Sequence, residues 1–132
     1  MIPAPANLAG IAPFFIVRDL AATIAFYRDR MGFEVTFQVE GPDPFFAIIS
    51  RGSAAIHLKC HEGVEPVPNF GREPAFSLDA YVEVPNPDAL AAEFASRGVS
   101  FAAPLSDSDD GLRGFVIKDL DGYGLFFGHH RE

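Results

Sequence analysis

The stretch Phe15-Ile-Val-Arg-Asp-Leu-Ala-Ala-Thr-Ile-Ala-Phe-Tyr-Arg-Asp-Arg-Met-Gly-Phe33 returns later in the chain as Val82-Glu-Val-Pro-Asn-Pro-Asp-Ala-Leu-Ala-Ala-Glu-Phe-Ala-Ser-Arg-Gly-Val99. Asp19 matches Asn86 and Gly32 matches Gly98, so each copy reads as strand, helix, strand. A second pair follows at a similar offset: Phe46 to Gly52 with Ile56-His-Leu58, against Phe115 to Gly122 with Leu125-Phe-Phe127. Two copies of one unit in one small chain imply a pseudo-symmetric body with a site between its halves.

In the first copy, Ile11 to Val17 is an apolar run fit for a buried strand, and Asp19 caps a helix starting at Leu20. Leu20, Ile24, Tyr27 and Met31 recur at helical spacing, and Gly32 supplies the left-handed stop. From Phe33 the period becomes two, which predicts a half-buried strand with Phe33, Val35, Phe37 and Val39 on one side. Gly41 to Pro44 breaks it; Phe45 to Ser50 and Ala54 to His61 read as two further strands around Arg51-Gly-Ser53. In the second copy, a strand over Ser77 to Val84 leads to a helix opened by Asn86-Pro87, with Leu90, Ala91 and Phe94 facing inward and Gly98 ending it. Val99 to Ala102 continues as a strand, Pro104 to Gly111 reads as an acidic loop, and Gly114 to Lys118 and Tyr123 to His129 form a hairpin across Asp121-Gly122. The expected organisation is one domain of two βαβββ pseudo-repeats, about 8–62 and 75–130, joined by a Pro-rich linker, 62–74.

The 132 residues suffice for a real core, with 48% apolar side chains and 14 Phe to fill it. A formal charge of −8 argues against nucleic acid or an anionic membrane as partner and permits a cationic ligand. No apolar run approaches the roughly 18 residues of a membrane span. The lone Cys60 and the absence of a secretory signal pattern place the expected location in the cytoplasm. Phosphate-cradling glycine loops and Gly-x-Ser-x-Gly elbows are absent.

Val17-Arg-Asp-Leu, Phe26-Tyr27, Gly32-Phe33 and Asp119-Leu-Asp-Gly122 before an apolar last strand resemble, in order and spacing, the vicinal oxygen chelate superfamily. That group holds glyoxalase I, extradiol dioxygenases, fosfomycin-resistance enzymes and bleomycin-resistance proteins. The resemblance covers almost the whole chain. It implies an α+β fold in which two tandem βαβββ units form a curled mixed sheet around a cup, with helices outside.

In metal-using members each unit supplies two side chains to a divalent ion. The resemblance places these at Ala12, His57, Asp79 and Phe126. A shift of two residues keeps the same strand facing and brings in Phe14, Tyr81 or Gly128. A methyl group and a phenyl ring have no lone pair to give, so half of the first shell is missing. The expectation is therefore no metal cofactor, with His57 and Asp79 as the ligands should a divalent ion bind.

Several candidate residues keep two readings. Alternation sends His57, Lys59 and His61 one way and Ile56, Leu58 and Cys60 the other, so His57 faces either solvent or the cup. Asp79, Tyr81 and Glu83 share one face, an acidic and aromatic stripe suited to a cationic or planar guest, or a solvated strand face. Phe126 lies between Gly124 and Gly128, which either leave room for a guest or admit close packing. Arg113 is a candidate anion clamp at the cup rim, or a surface arginine. His129-His130 reads as tail.

The candidate ligand-binding set is thus Phe14, Phe46, His57, Asp79, Tyr81, Arg113 and Phe126. The expected function is a metal-free binding protein similar to the bleomycin-resistance branch: a homodimer, cytoplasmic, sequestering an aromatic or cationic antibiotic-like molecule. The competing reading is a metal-dependent lyase, dioxygenase or thiol transferase of the glyoxalase type. A third is a scaffold whose cup is filled by Phe14, Phe46 and Phe126 packed together.

Overall fold

The computed structural model describes residues 1–72 and 77–131. Pro74 and Ala75, where the linker and the second copy are expected to meet, lie outside them. The first unit comprises β1 (Phe14–Ile16), α1 (Leu20–Met31), β2 (Glu34–Gln38), β3 (Phe46–Arg51) and β4 (Ala54–Lys59). The second comprises β5 (Ala80–Glu83), α2 (Pro87–Ser96), β6 (Ala103–Asp107), β7 (Leu112–Lys118) and β8 (Gly124–His130).

Both units are wound alike. The sheets run β1-β4-β3-β2 and β5-β8-β7-β6, with the first strand parallel to the last and the other pairs antiparallel. Among the described residues no strand ladder joins the two. The two βαβββ units thus form the expected α+β fold, with the mixed sheet present as two four-stranded sheets that do not close into a barrel.

The helix boundaries follow from their caps. The Asp19 carboxylate accepts from Ala22 N at 3.0 Å, and Gly32 closes α1 at φ 71°. The Asn86 side chain accepts from Ala89 N at 3.1 Å, with Pro87 at the first helical position. A cap of this kind contributes about 1 kcal/mol.

Both helices and one face of each sheet share a single core. Phe15, Tyr27, Met31, Ile49 and Leu58 of the first unit and Phe94, Phe115, Ile117, Leu125 and Phe127 of the second are all buried in it. The units are locked by exchanged contacts. Arg30 at the end of α1 donates to the carbonyls of Arg97 and Gly98 at the end of α2, at 3.0 and 3.1 Å; Arg97 returns a bond to the Asp29 carbonyl at 3.3 Å. Each helix thus caps the exposed carbonyls of the other, where a cation is favoured.

The hairpin turns exchange in the same way. Arg51, at the end of β3, lies 5.9 Å from the Phe94 ring and pairs with Glu93 of α2 at 2.7 and 2.9 Å. Asp119, in the β7–β8 turn, accepts from the Tyr27 hydroxyl of α1 at 2.6 Å. Tyr27 and Phe94 occupy matching positions of the two copies.

Four expectations from periodicity require correction. Val99 to Ala102 is not a strand, and the strand of that region, β6, begins at Ala103. Strand β1 starts at Phe14 rather than Ile11, because Pro13 has no N–H and offers only its carbonyl, to His57 N at 3.0 Å. Strand β2 is exposed throughout rather than half-buried. A bulge between Val35 and Phe37 puts Val35 opposite Ile49 but Phe37 opposite Ile48, so the apolar side of β2 does not stay on one face. The run from Pro104 to Asp107, expected as loop, belongs to β6, an edge strand where a proline is tolerated.

Candidate functional site

The sheet faces turned away from the shared core carry the candidate residues, and strand register decides which of them meet. In the first sheet, Phe14 lies opposite His57, His57 opposite Ile48, and Ile48 opposite Phe37. Phe46 is on the same face. Ring centroids are 5.6 Å apart for Phe14 and His57, 5.7 Å for Phe14 and Phe46, 5.6 Å for Phe46 and His57, and 6.1 Å for Phe37 and Phe46. Phe14 and Phe37 stay 55% and 52% exposed, so this is an open aromatic surface rather than buried core.

The second sheet repeats the row: Tyr81 lies opposite Phe126 and Phe126 opposite Val116. The two rings are 5.5 Å apart and within 22° of parallel. Phe14 and Tyr81 hold matching places in the two units, as do His57 and Phe126.

Gly114 and Gly128 face each other across β7 and β8, and the Phe126 ring lies over both; a Cβ at Gly128 would meet it at 2.3 Å. The ring is therefore laid flat on bare backbone. The space at Gly124 is taken by Phe70. Both glycines beside Phe126 thus serve close packing, and any guest must rest on the rings rather than in a gap between them.

Glu83, two residues beyond Tyr81, gives this face its charge. Its carboxylate accepts from the Tyr81 hydroxyl at 2.7 Å and meets His129 Nδ1 at 2.9 Å. The Tyr81 hydrogen bond first, then that of His129, holds the Glu83 carboxyl below its usual range. Tyr81 is pushed up to about 12, by desolvation and then by the Glu83 hydrogen bond. At neutral pH the face presents two stacked rings beside an ionised carboxylate.

Two candidates are engaged elsewhere. The Asp79 carboxylate accepts from the backbone N–H groups of Asn69 (2.6 Å), Phe70 (3.2 Å) and Gly124 (2.9 Å), anchoring the linker against β8. Arg113 lies on the α2 side of its sheet. Its guanidinium makes a two-pronged pair with Asp88 at 2.8 and 2.9 Å and a third bond to Asp107 at 3.0 Å. Those carboxylates raise its already high pKa, so it stays charged and committed.

The structure thus groups Phe14, Phe46 and His57 on one face and Tyr81 and Phe126 on the other, and sets Asp79 and Arg113 apart. None of the ring contacts among the described residues joins the two faces. Phe126 does not pack with Phe14 and Phe46, as the filled-cup reading requires. Glu83 was visible on the Asp79-Tyr81-Glu83 stripe, and Phe37 in the alternation of β2. His129, read as tail, belongs to β8 and reaches Glu83.

The donor set does not fit a divalent ion. Ala12 and Phe126 offer no donor atoms, and both Asp79 oxygens already accept backbone hydrogen bonds. Among the described residues no three His, Cys, Asp or Glu side chains are grouped to hold a metal. Nor is any described helix long and apolar enough to cross a membrane.

Residues 9–127 match the family model described as Glyoxalase/Bleomycin resistance protein/Dioxygenase superfamily. Among solved structures, the bleomycin-binding protein from bleomycin-producing Streptomyces verticillus, complexed with copper(II)-bleomycin, is 28% identical. It covers 97% of this chain and 100% of its own, at a TM-score of 0.69. TioX from Micromonospora sp. ML1 shares the fold at 18% identity and a TM-score of 0.69, covering 92% and 99%. A glyoxalase-related enzyme from Clostridium phytofermentans does so at 14% identity and 0.74, covering 95% and 97%. No curated protein matches the chain. With the family model spanning nearly its whole length, the chain belongs to the glyoxalase/bleomycin resistance protein/dioxygenase superfamily.

Proposed function

We propose that this protein binds a planar, cationic or aromatic small molecule and sequesters it, using no metal of its own. The observation that carries the proposal is the Tyr81–Phe126 platform beside the ionised Glu83. A flat cation laid there gains stacking on both rings and attraction to the carboxylate, together worth about 1–3 kcal/mol once water is excluded. The 28% identity to a bleomycin-binding protein supports the same reading.

Each aromatic face is open in the single chain, and a cup needs two walls. The proposed working form is a cytoplasmic homodimer in which the Phe14–Phe46–His57 face of one protomer stands across the guest from the Tyr81–Phe126 face of its partner. The antibiotic-like guest is held between them, and this would confer resistance by removing it from solution. The engagement of Asp79 with three backbone N–H groups weighs against the metal-dependent lyase or dioxygenase alternative.

Titration calorimetry with bleomycin and a panel of planar cations tests the reading. At least one member should bind at micromolar Kd or tighter. Tyr81→Ala and Glu83→Gln should each weaken that binding about tenfold, equivalent to about 1.4 kcal/mol. No heat with any member of the panel would remove the proposal, and so would stoichiometric metal lost from a His57→Ala protein.

A further inference from the structure

The carboxylate beside the Tyr81–Phe126 platform has two partners of different kinds. One Glu83 oxygen accepts from the Tyr81 hydroxyl at 2.7 Å, and the other lies 2.9 Å from His129 Nδ1. Tyr81, pushed up to about 12, keeps its proton and is a constant neighbour. Imidazole is the side chain that changes charge between about pH 5 and 8.

The contact itself fixes where that change occurs. An ionised carboxylate only accepts, so the proton between the two groups sits on Nδ1 whether the imidazole is neutral or charged. A second proton must then enter at Nε2, which makes no hydrogen bond among the described residues; the side chain is 42% exposed and open to solvent. Titration therefore leaves the Glu83–His129 contact in place. Only its charge alters, from that of a carboxylate to that of a neutral ion pair.

The other charges around the ring are held elsewhere. Arg113 stands opposite His129 in the β7–β8 register but is bound by Asp88 of α2 and Asp107 of β6. Arg131 donates to the Ser108 carbonyl at 2.7 Å and lies 3.9 Å from Asp107. His130 adds a weaker attraction to Glu83 through space. Among the described residues, His129 is the one basic side chain bonded to Glu83.

We infer that His129 is a specificity-determining residue of the platform: neutral, it holds the Glu83 carboxylate ready for a cationic guest, and protonated it cancels the charge that selects such a guest over an uncharged one. The inference rests on the ligand-binding function proposed above and assigns its control to one proton. The rings do not respond to that proton, since stacking persists with a neutral guest. Preference for a cation thus fades on acidification.

Fluorescence titrations with N-methylacridinium, a planar cation of fixed charge between pH 5.5 and 8, and with its uncharged counterpart N-methylacridone test the inference. The Glu83 carboxyl, held below its usual range first by Tyr81 and then by His129, stays ionised over that window. For the native chain the acridinium Kd should rise about fivefold from pH 8 to pH 5.5, the effect of neutralising one exposed charge. The acridone Kd should stay level. In His129→Asn an amide nitrogen replaces Nδ1 as donor and does not titrate, so the acridinium Kd should change less than about twofold. A structural role alone would shift the Kd at every pH and leave the slope. Nitrogen NMR spectra should show neutral His129 protonated at Nδ1. Three results would each overturn the inference: a level acridinium Kd in the native chain, a slope that survives His129→Asn and so belongs to His57 or His130, or a neutral His129 protonated at Nε2. These leave the ligand reading intact. Binding of neither compound at any pH also overturns the inference, while the calorimetry panel still decides the ligand reading separately.

Discussion

Asp119→Ala is expected to be among the most destabilising single substitutions in the molecule. The side chain is 4% exposed and gathers three donors: the Tyr27 hydroxyl at 2.6 Å and the backbone N–H groups of Asp121 and Tyr123 at 3.0 and 2.9 Å. Alanine leaves all three without an acceptor in a buried place, at ~1–3 kcal/mol each. It also unties the β7–β8 turn of the second unit from α1 of the first. A combined loss of about 4 kcal/mol is expected in urea unfolding at pH 5.5, a large share of the ~5–15 kcal/mol of a typical domain. A loss below about 1 kcal/mol would show that the turn does not hold the units together.

The same carboxyl has a pH signature. Burial raises its pKa from 3.8 to about 6, against the lowering effect of its three hydrogen bonds. The folded protein therefore holds this proton more tightly than the unfolded chain. The stabilisation is fully present below about pH 4 and is lost as pH rises through about 6. A shift of about two units corresponds to about 3 kcal/mol. Asparagine keeps an oxygen for the two backbone donors and an amide for the Tyr27 oxygen, and it does not ionise. The stability of Asp119→Asn relative to the native chain should therefore rise between pH 4 and pH 7. Comparing the two proteins removes the opposite contribution of Glu83, Asp88 and Glu93, whose lowered carboxyls lose stability on acidification. A flat difference would mean that Asp119 titrates normally.

The second large effect is expected at Gly114. A Cβ there would lie 2.3 Å from the Phe127 carbonyl oxygen and 2.8 Å from Gly128 Cα, both backbone atoms of the neighbouring strand in the middle of the sheet. Neither can turn aside as a side chain can. Gly114→Ala should cost at least about 3 kcal/mol or abolish folding. Gly128→Ala should cost less, because its closest clash, at 2.3 Å, is with the Phe126 ring, which can swing away, and the one backbone atom in the way, the Arg113 carbonyl oxygen, is farther off at 2.8 Å. That swing would also lift the platform, so Gly128→Ala should fold and bind poorly. Equal stability of Gly114→Ala and the native chain in thermal unfolding would contradict the tight pairing of β7 and β8.

What the sequence revealed and concealed follows one division. Signals read within a few residues of each other held: Asp19 and Gly32 bound α1, Asn86-Pro87 opened α2, and Asp121-Gly122 turned the last hairpin. The internal repeat correctly set His57 against Phe126, since register gives them matching places. What failed depends on partners distant in the chain. Alternation could not disclose the bulge between Val35 and Phe37, which exists only against β3. The stripe of Asp79, Tyr81 and Glu83 carried no sign that Asp79 would be claimed by the N–H groups of Asn69, Phe70 and Gly124. Arg113 looked available because Asp88, its partner, stands 25 residues earlier.

The exchanged turns differ in charge. Each hairpin rests on the helix of the opposite half, at Tyr27 in one case and Phe94 in the other, but one turn brings a guanidinium and the other a buried acid. A protein assembled from two copies of the first half would press arginine against the tyrosine. One assembled from two copies of the second would bring an acid to the helix that carries Glu93. The two halves are thus complementary rather than identical at this contact: each turn brings the charge that suits the helix it rests on.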